Sequence, residues 1–114
     1  MRIVISVLLA LCISSQANAA GSIGSAKVVE VRIDQDGKGM VVFDQQVGGT
    51  PATCVHPAYT NALSFNATTG GGRAIMALAL TAKTTGVVVT VFGNGTCGIY
   101  GGAHVEDWSY GVLR

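Results

Sequence analysis

The side chains that could carry out chemistry are two histidines, two neighbouring carboxylates and a serine in the last third of the chain. His56 and His104 have no recognisable motif around them. Ser109 lies near Asp107, but a serine beside a carboxylate does not make a catalytic triad. Glu106 and Asp107 would point to opposite faces of a strand, so they could not act as a carboxylate pair. The sequence therefore predicts binding without catalysis, and leaves open a small hydrolase assembled from distant residues.

The same C-terminal region is rich in aromatic side chains that suit a ligand. Sugars stack on aromatic faces, and their hydroxyl groups hydrogen-bond to nearby carboxylates. In the alternative interpretation, Trp108 and Tyr110 fill the core or an interface, which aromatic residues also do well. The predicted ligand-binding residues here are Tyr100, Glu106, Asp107, Trp108 and Tyr110.

Cys54 and Cys97 are the two cysteines that follow the N-terminal apolar segment. An even cysteine count in an exported chain predicts a disulfide between them. The alternative is a metal site completed by His56 and His104. The spacing of Cys54 and His56 is too tight for the usual structural zinc site, so we predict neither a metal nor a cofactor.

Residues 1–19 have the three parts of a secretory signal peptide. Arg2 gives a positive start, residues 3–13 form an apolar run, and Ala17-Asn18-Ala19 is a small-x-small cleavage site. The apolar run is short for a membrane span, although a retained anchor is the alternative. We therefore predict a secreted or periplasmic bacterial protein whose single domain comprises residues 20–114.

The charge balance of that domain argues against several partners. Once Arg2 is removed, the seven basic side chains become six and match the six acidic ones. The sequence contains no basic stripe of the kind that predicts nucleic-acid binding. It also contains no polybasic or amphipathic segment of the kind that predicts membrane binding. A neutral, glycine-rich surface has little electrostatic protection against self-association, so we expect a homo-oligomer.

The order of predicted elements favours a small barrel. A helix between the third and fourth strands is the connectivity of the OB-fold, so we predict a mainly β, five-stranded OB-fold-like barrel of order β-β-β-α-β-β. Residues 20–25 are predicted to be a flexible start and residues 47–57 a long connection. Strands are predicted at 27–34, 40–44, 59–66, 87–92 and 96–100, with a last strand or extended segment at 105–110 and a helix at 73–84.

Two of these elements carry informative apolar patterns. In the first strand, Val29, Val31 and Ile33 alternate with charged residues, as in a half-buried strand. In the helix, a core stripe is formed by Ile75, Leu78, Ala79 and Ala82. Met76 and Leu80 lie off that stripe and need cover that a small domain can hardly supply, which predicts a subunit contact.

The helix and the strand after it contain residues that are similar to those of a known protein family. These residues are Ala79-Leu80, Thr84-Thr85-Gly86 and the alternating Val87, Val89 and Val91. Residues 95–102 and Val105-Glu106-Asp107 add to the resemblance. In these positions the chain resembles the B subunits of A-B bacterial toxins, and most of all the B subunit of subtilase cytotoxin. The resemblance implies an OB-fold, a pentameric ring with the helices lining a central pore, binding of sialylated glycans and no catalysis.

The family's glycan site has two positions that can be compared with this chain. A serine at the start of the first strand falls near Ser25, which adds Ser25 to the predicted ligand-binding residues. A tyrosine late in the strand after the helix is absent, because that region holds Phe92 and Gly93. We expect an exported glycan-binding module. The alternative is a periplasmic structural or inhibitory protein that binds another protein.

Overall fold

The computed structural model describes residues 20–114. The predicted signal peptide, which includes Cys12, lies outside the described residues. The described strands are β1 (Gly21–Ala26), β2 (Val28–Ile33), β3 (Lys38–Phe43), β4 (Gly48–Gly49), β5 (Ala62–Asn66), β6 (Val89–Gly93) and β7 (Trp108–Leu113). A 3-10 turn spans Pro57–Tyr59, and the helix α1 spans Gly70–Thr85.

The strands form two antiparallel sheets, of order β4-β1-β6-β7 and β2-β3-β5. At Lys27 the chain passes directly from β1 in one sheet to β2 in the other. Within residues 20–114, a parallel bridge joins Ser64 of β5 to Asp107, the residue just before β7. The protein is therefore mainly β with one helix, as predicted, and is consistent with an OB-like fold. The two sheets are not joined by continuous ladders, so the barrel is not closed.

The hairpin between β2 and β3 turns at the predicted Asp-Gly step. Gly37 has φ of 89°, a left-handed conformation that glycine adopts without a Cβ penalty. Its N–H donates to the Asp34 carbonyl at 3.0 Å, and the Asp34 N–H donates to the Lys38 carbonyl. The turn fixes the register in which Arg32 pairs with Met40.

The helix α1 begins three residues before the predicted start because Thr69 caps it. The Thr69 hydroxyl accepts the Gly72 N–H at 2.9 Å. A Cβ on Gly72 would lie 1.6 Å from the Asn66 carbonyl oxygen, so only glycine lets the helix start so close to the end of β5. Gly86 ends the helix in the left-handed conformation and donates to the Ala82 carbonyl.

The main core lies between the two sheets and one face of α1. Its helical contribution is Ala79 and Ala82, which are fully buried, while Ile75 and Leu78 pack at its margin. The sheets contribute Ile23, Val28, Val41, Phe43, Val47, Leu63, Phe65, Val89, Val91 and Trp108. A smaller cluster on the other side of the three-stranded sheet contains Met40, Ala62 and Val105.

The first described residues differ from the prediction of a flexible start. Gly21–Ala26 is the strand β1, which pairs with both β4 and β6. Its inward residues are Gly21, Ile23 and Ala26, two of which are too small to give an apolar alternation in the sequence. Neighbouring strands, rather than local propensity, determine its conformation.

Residues 96–100 also differ from prediction, because they form turns instead of a strand. The Gly101 N–H donates to the Cys97 carbonyl at 2.8 Å, which closes one of these turns. The final strand starts at Trp108 rather than at residue 105, and it continues to Leu113. In β2, Val31 packs on the core but Val29 and Ile33 are exposed, since β2 is an edge strand with an irregular register after Val28.

Candidate functional site

The predicted ligand-binding residues divide into a buried and an accessible group. Glu106 is 1% exposed, and Asp107 and Trp108 are each 5% exposed. Tyr100 is partly buried, whereas Ser25 is exposed and Tyr110 is 55% exposed. The structure therefore does not bring the six residues together on one surface.

The Glu106 carboxylate is occupied by backbone donors from three separate segments. Oε1 accepts the Ala52 N–H at 2.6 Å, and Oε2 accepts the Gly21 N–H at 2.9 Å and the Gly95 N–H at 3.3 Å. A Cβ on Gly93 would lie 1.6 Å from Oε2, so a glycine there makes room for the carboxylate. Glu106 thus connects β1, the segment after β4 and the turn after β6 by hydrogen bonds. Its carboxylate is buried and does not face a ligand.

Asp107 has a similar internal role on the opposite side of the chain. Its Oδ1 accepts from the Ser64 hydroxyl at 3.1 Å and the Ile99 N–H at 3.0 Å. Its Oδ2 accepts from the Gly98 N–H and the Thr96 hydroxyl, both at 2.8 Å. These bonds satisfy the amides of Gly98 and Ile99, which helps to order the segment at 96–100 although it pairs with no strand.

Trp108 belongs to the core. Its ring centroid lies 5.8 Å from that of Phe43. A Cβ on Gly111 would come 2.6 Å from the indole Cζ2, so the backbone of β7 passes close to the ring. The structure therefore supports the alternative interpretation of Trp108, in which the indole fills the barrel.

A stacked aromatic pair lies on the outer face of the four-stranded sheet. The rings of Phe92 and Tyr110 have centroids 4.4 Å apart and planes inclined by 16°. Phe92 pairs in register with Tyr110 on one side and with Ser22 on the other. We call these three residues the platform. Ser25 lies beyond it, where the register of β1 shifts between Ile23 and Ala26.

The disulfide between Cys54 and Cys97 is present, as predicted. It ties the connection after β4 to the turns before β7. The same two segments are joined by backbone bonds, from the His104 N–H to the Cys54 carbonyl at 3.0 Å and from the His56 N–H to the His104 carbonyl at 2.7 Å. Both sulfur atoms are bonded to each other, so the alternative metal site built on free cysteines is excluded.

His104 is stacked between two tyrosines. Its ring centroid lies 4.5 Å from that of Tyr59 and 4.7 Å from that of Tyr100, with interplanar angles of 16° and 8°. We call Tyr59, His104 and Tyr100 the ladder. No spacing in the sequence predicts this stack, because the two disulfide-linked segments bring its members together.

The ladder ends in a charged network at the start of the β2–β3 turn. The Tyr100 hydroxyl donates to Asp34 Oδ2 at 2.6 Å, and Arg32 Nε donates to Asp34 Oδ1 at 2.7 Å. The Tyr100 hydroxyl and then the Arg32 guanidinium lower the pKa of Asp34 below its ordinary value. Burial and the neighbouring Asp34 raise the pKa of Tyr100, so the phenol stays protonated at any ordinary pH.

A cleft of about 320 Å³ opens beside the ladder, on the outer face of the three-stranded sheet. Its lining residues come from β2, β3 and the segment before β5, and include Glu30, Arg32, Met40, Val42, Tyr59 and Asn61. These residues are far apart in sequence, and only the pairing of Glu30 with Val42 and of Arg32 with Met40 places them side by side.

Two further observations concern residues 20–114. No helix in this range is long and apolar enough to cross a membrane. No three histidine, cysteine, aspartate or glutamate side chains in this range are grouped so that they could hold a metal ion.

Comparisons with protein-family models, curated proteins and solved structures found no significant match to this chain. The resemblance to toxin B subunits therefore stays an expectation from the sequence.

Proposed function

We propose that this protein is an exported, non-catalytic module that binds carbohydrate on the platform. The observation that carries the proposal is the stacked pair of Phe92 and Tyr110, which is accessible and lies where β6 pairs with β7, beside an irregularity of register after Phe92. The apolar face of a sugar ring can pack on these rings, while the Ser22 hydroxyl is placed to bond a sugar hydroxyl at the rim.

The platform is preorganised for such a ligand. Its strand β6 is held on both sides, by β1 and by β7. The Thr90 hydroxyl also donates to the Gly24 carbonyl at 2.7 Å, which fixes β1 to β6 beside the platform. Little side-chain or backbone freedom is left to lose, so a modest contact area can still give useful affinity.

An acidic sugar is the class we favour, in keeping with the resemblance. Arg114 Nε donates to the Thr90 hydroxyl oxygen at 3.0 Å, which brings a positive charge to the same outer face, two residues from Phe92 along β6. The tyrosine of the toxin family falls in the region of Phe92 and Gly93, where this chain has no tyrosine, and Tyr110 supplies a phenol beside Phe92. Ser22, rather than the predicted Ser25, pairs with Phe92.

A glycan array tests the proposal with wild-type protein and Tyr110→Ala. We expect wild type to bind sialylated glycans and the variant to lose at least about tenfold in affinity, since one aromatic face is removed. Val112→Ala, an exposed apolar change on the same strand, is the matched control and should bind normally. Unchanged binding by Tyr110→Ala, or no array signal for wild type, would rule out the platform as a glycan site.

The second candidate is a structural or inhibitory protein that binds another protein. It is favoured by the exposed Val29 and Ile33, which lie on the edge strand β2 and could contact a partner. A wild type without glycan binding, combined with loss of a purified partner's binding in Ile33→Asp, would favour this candidate over the platform.

We also propose that the protein forms a homo-oligomer through α1, a pentamer if the resemblance to toxin B subunits extends to assembly. Leu80 is 46% exposed on the helix, while Met76 is partly buried against the core. Leu80→Glu should therefore shift the mass measured by light scattering toward the monomer more cleanly than Met76→Glu. Thr81→Glu adds the same charge at the next position and serves as the control. A monomeric wild type at high concentration would contradict the proposal.

A further inference from the structure

We propose that the cleft beside Tyr59 is a second binding site, for a small zwitterion with an apolar body, of the α-amino-acid class. The cleft lies on the three-stranded sheet, whereas the platform lies on the four-stranded sheet. The proposal therefore does not depend on carbohydrate binding.

Two opposite charges stand on the same edge of the cleft. Glu30 and Arg32 are two residues apart on β2, so both side chains point to the same face. Among the described residues Glu30 forms no salt bridge, so its carboxylate can take up a ligand ammonium group. A ligand with a single charge would be attracted by one of these groups and repelled by the other.

The guanidinium of Arg32 is oriented for a carboxylate. Its Nε is held by Asp34, and the Asp34 carboxylate is itself held by the Tyr100 hydroxyl. Apart from a minor side-chain hydrogen bond with Tyr59, the terminal nitrogens have donors left, and such a pair of nitrogens matches the two oxygens of a carboxylate. Arg32 therefore offers these donors from a position that its bond to Asp34 restricts before a ligand arrives.

The remaining lining suits an apolar body of limited size. Met40 and Val42 form the floor, because they pair with Arg32 and Glu30 on the same face of the sheet. Tyr59 lines the cleft, with its ring held by the ladder, and Asn61 adds an amide that can donate and accept. A volume of about 320 Å³ is near the lower limit of small-molecule sites, which range over roughly 300–1,000 Å³.

The experiment is an NMR titration of isotope-labelled protein with phenylalanine and two blocked analogues. Phenylalanine amide lacks the carboxylate, and N-acetylphenylalanine lacks the ammonium group. We expect phenylalanine to perturb the amide signals of β2, β3 and residue 61 at millimolar concentration. Each blocked analogue should bind about tenfold or more weakly, because one charged hydrogen-bonding group is left without its partner.

Variants assign each charge to its partner. Arg32→Gln should bind phenylalanine and its amide alike, and Glu30→Gln should bind phenylalanine and its N-acetyl form alike. Lys27→Gln, an exposed charge change between β1 and β2, is the matched control and should leave the preferences unchanged. Absence of perturbation in wild type, equal binding of all three compounds, or loss of binding in Tyr110→Ala would overturn the proposal.

Discussion

Residues 105–108 and 110–113 are neighbours in the chain, but they occupy opposite environments. The first stretch is buried, with two carboxylates and an indole inside the protein. The second continues β7 and exposes Tyr110, Val112 and Leu113. Charged side chains thus lie inside while apolar ones lie outside, which is the reverse of the usual distribution.

The difference follows from where backbone donors need partners. Around residues 105–107 the chain is irregular, and nearby amides such as those of Gly21, Ala52 and Gly98 require acceptors that no strand provides there. Glu106 and Asp107 supply them. Along β7 the hydrogen bonds to β6 satisfy the backbone, so the outward side chains of β7 are free for other contacts. An acidic or aromatic residue type therefore does not by itself indicate a binding surface.

Trp108→Ala should give the largest effect in this comparison. Removing a buried indole that packs on Phe43 should lower the free energy of unfolding by about 3–5 kcal/mol. Urea denaturation followed by circular dichroism measures it. Trp108→Phe keeps part of the side-chain volume and should lower the free energy of unfolding by a smaller amount. A change of less than about 1 kcal/mol for Trp108→Ala would place the indole outside the core.

Glu106→Gln should come next, with a loss of about 2–3 kcal/mol. The amide has nearly the same shape, but its NH₂ group would face at least one backbone N–H that now has an acceptor. The same denaturation measurement applies. Glu30→Gln changes an exposed carboxylate and should alter stability by less than about 0.5 kcal/mol. Equal effects of the two changes would contradict the internal role of Glu106.

Tyr110→Ala should cost little stability, at most about 1 kcal/mol, which is the contribution of an aromatic pair. The phenol is mostly exposed, so the variant loses little buried area. Comparing its urea midpoint with that of Trp108→Ala sharpens the contrast between two aromatic residues two positions apart. A collapse of the fold in Tyr110→Ala would mean that the platform is structural.

The smallest expected effect is a change in stability with pH that arises from the hydrogen-bonded carboxylate of Asp34. The pKa of Asp34 is lowered in the folded state, so its stabilising contribution is present above its ordinary pKa of about 3.9 and is lost as pH falls through the lower folded value. NMR titration of the carboxyl carbon should give a midpoint below that of a free aspartate. Tyr100→Phe should move the midpoint upward, and an unchanged midpoint would contradict the role of the hydroxyl.

The overall fold could be predicted because its signals are local. The Asp-Gly turn, the apolar helix that ends at Gly86 and the single possible cysteine pairing in the described chain are all visible in the sequence. The strand β1 cannot be predicted in this way, because Gly21 and Ala26 bury little apolar surface and no alternation marks it.

The candidate site was harder to predict because its contacts are distant in sequence. Glu106 accepts hydrogen bonds from residues that are 85, 54 and 11 positions away. Phe92 lies in the strand Val89–Gly93, where it is as apolar as the buried Val89 and Val91, and its register with Tyr110 and Ser22 shows that it points outward. Sequence spacing could not supply that register.

The bond between Glu106 and Gly21 has a consequence for folding during synthesis. The strand β1 finds its partner β6 late, and Gly21 finds Glu106 only when almost the whole chain is available. Such long-range contacts slow folding, because the ends of a long loop must meet before any stabilisation is gained. A chain with this topology cannot complete its four-stranded sheet until β6 and β7 have been synthesised, whereas β2, β3 and β5 can pair before then.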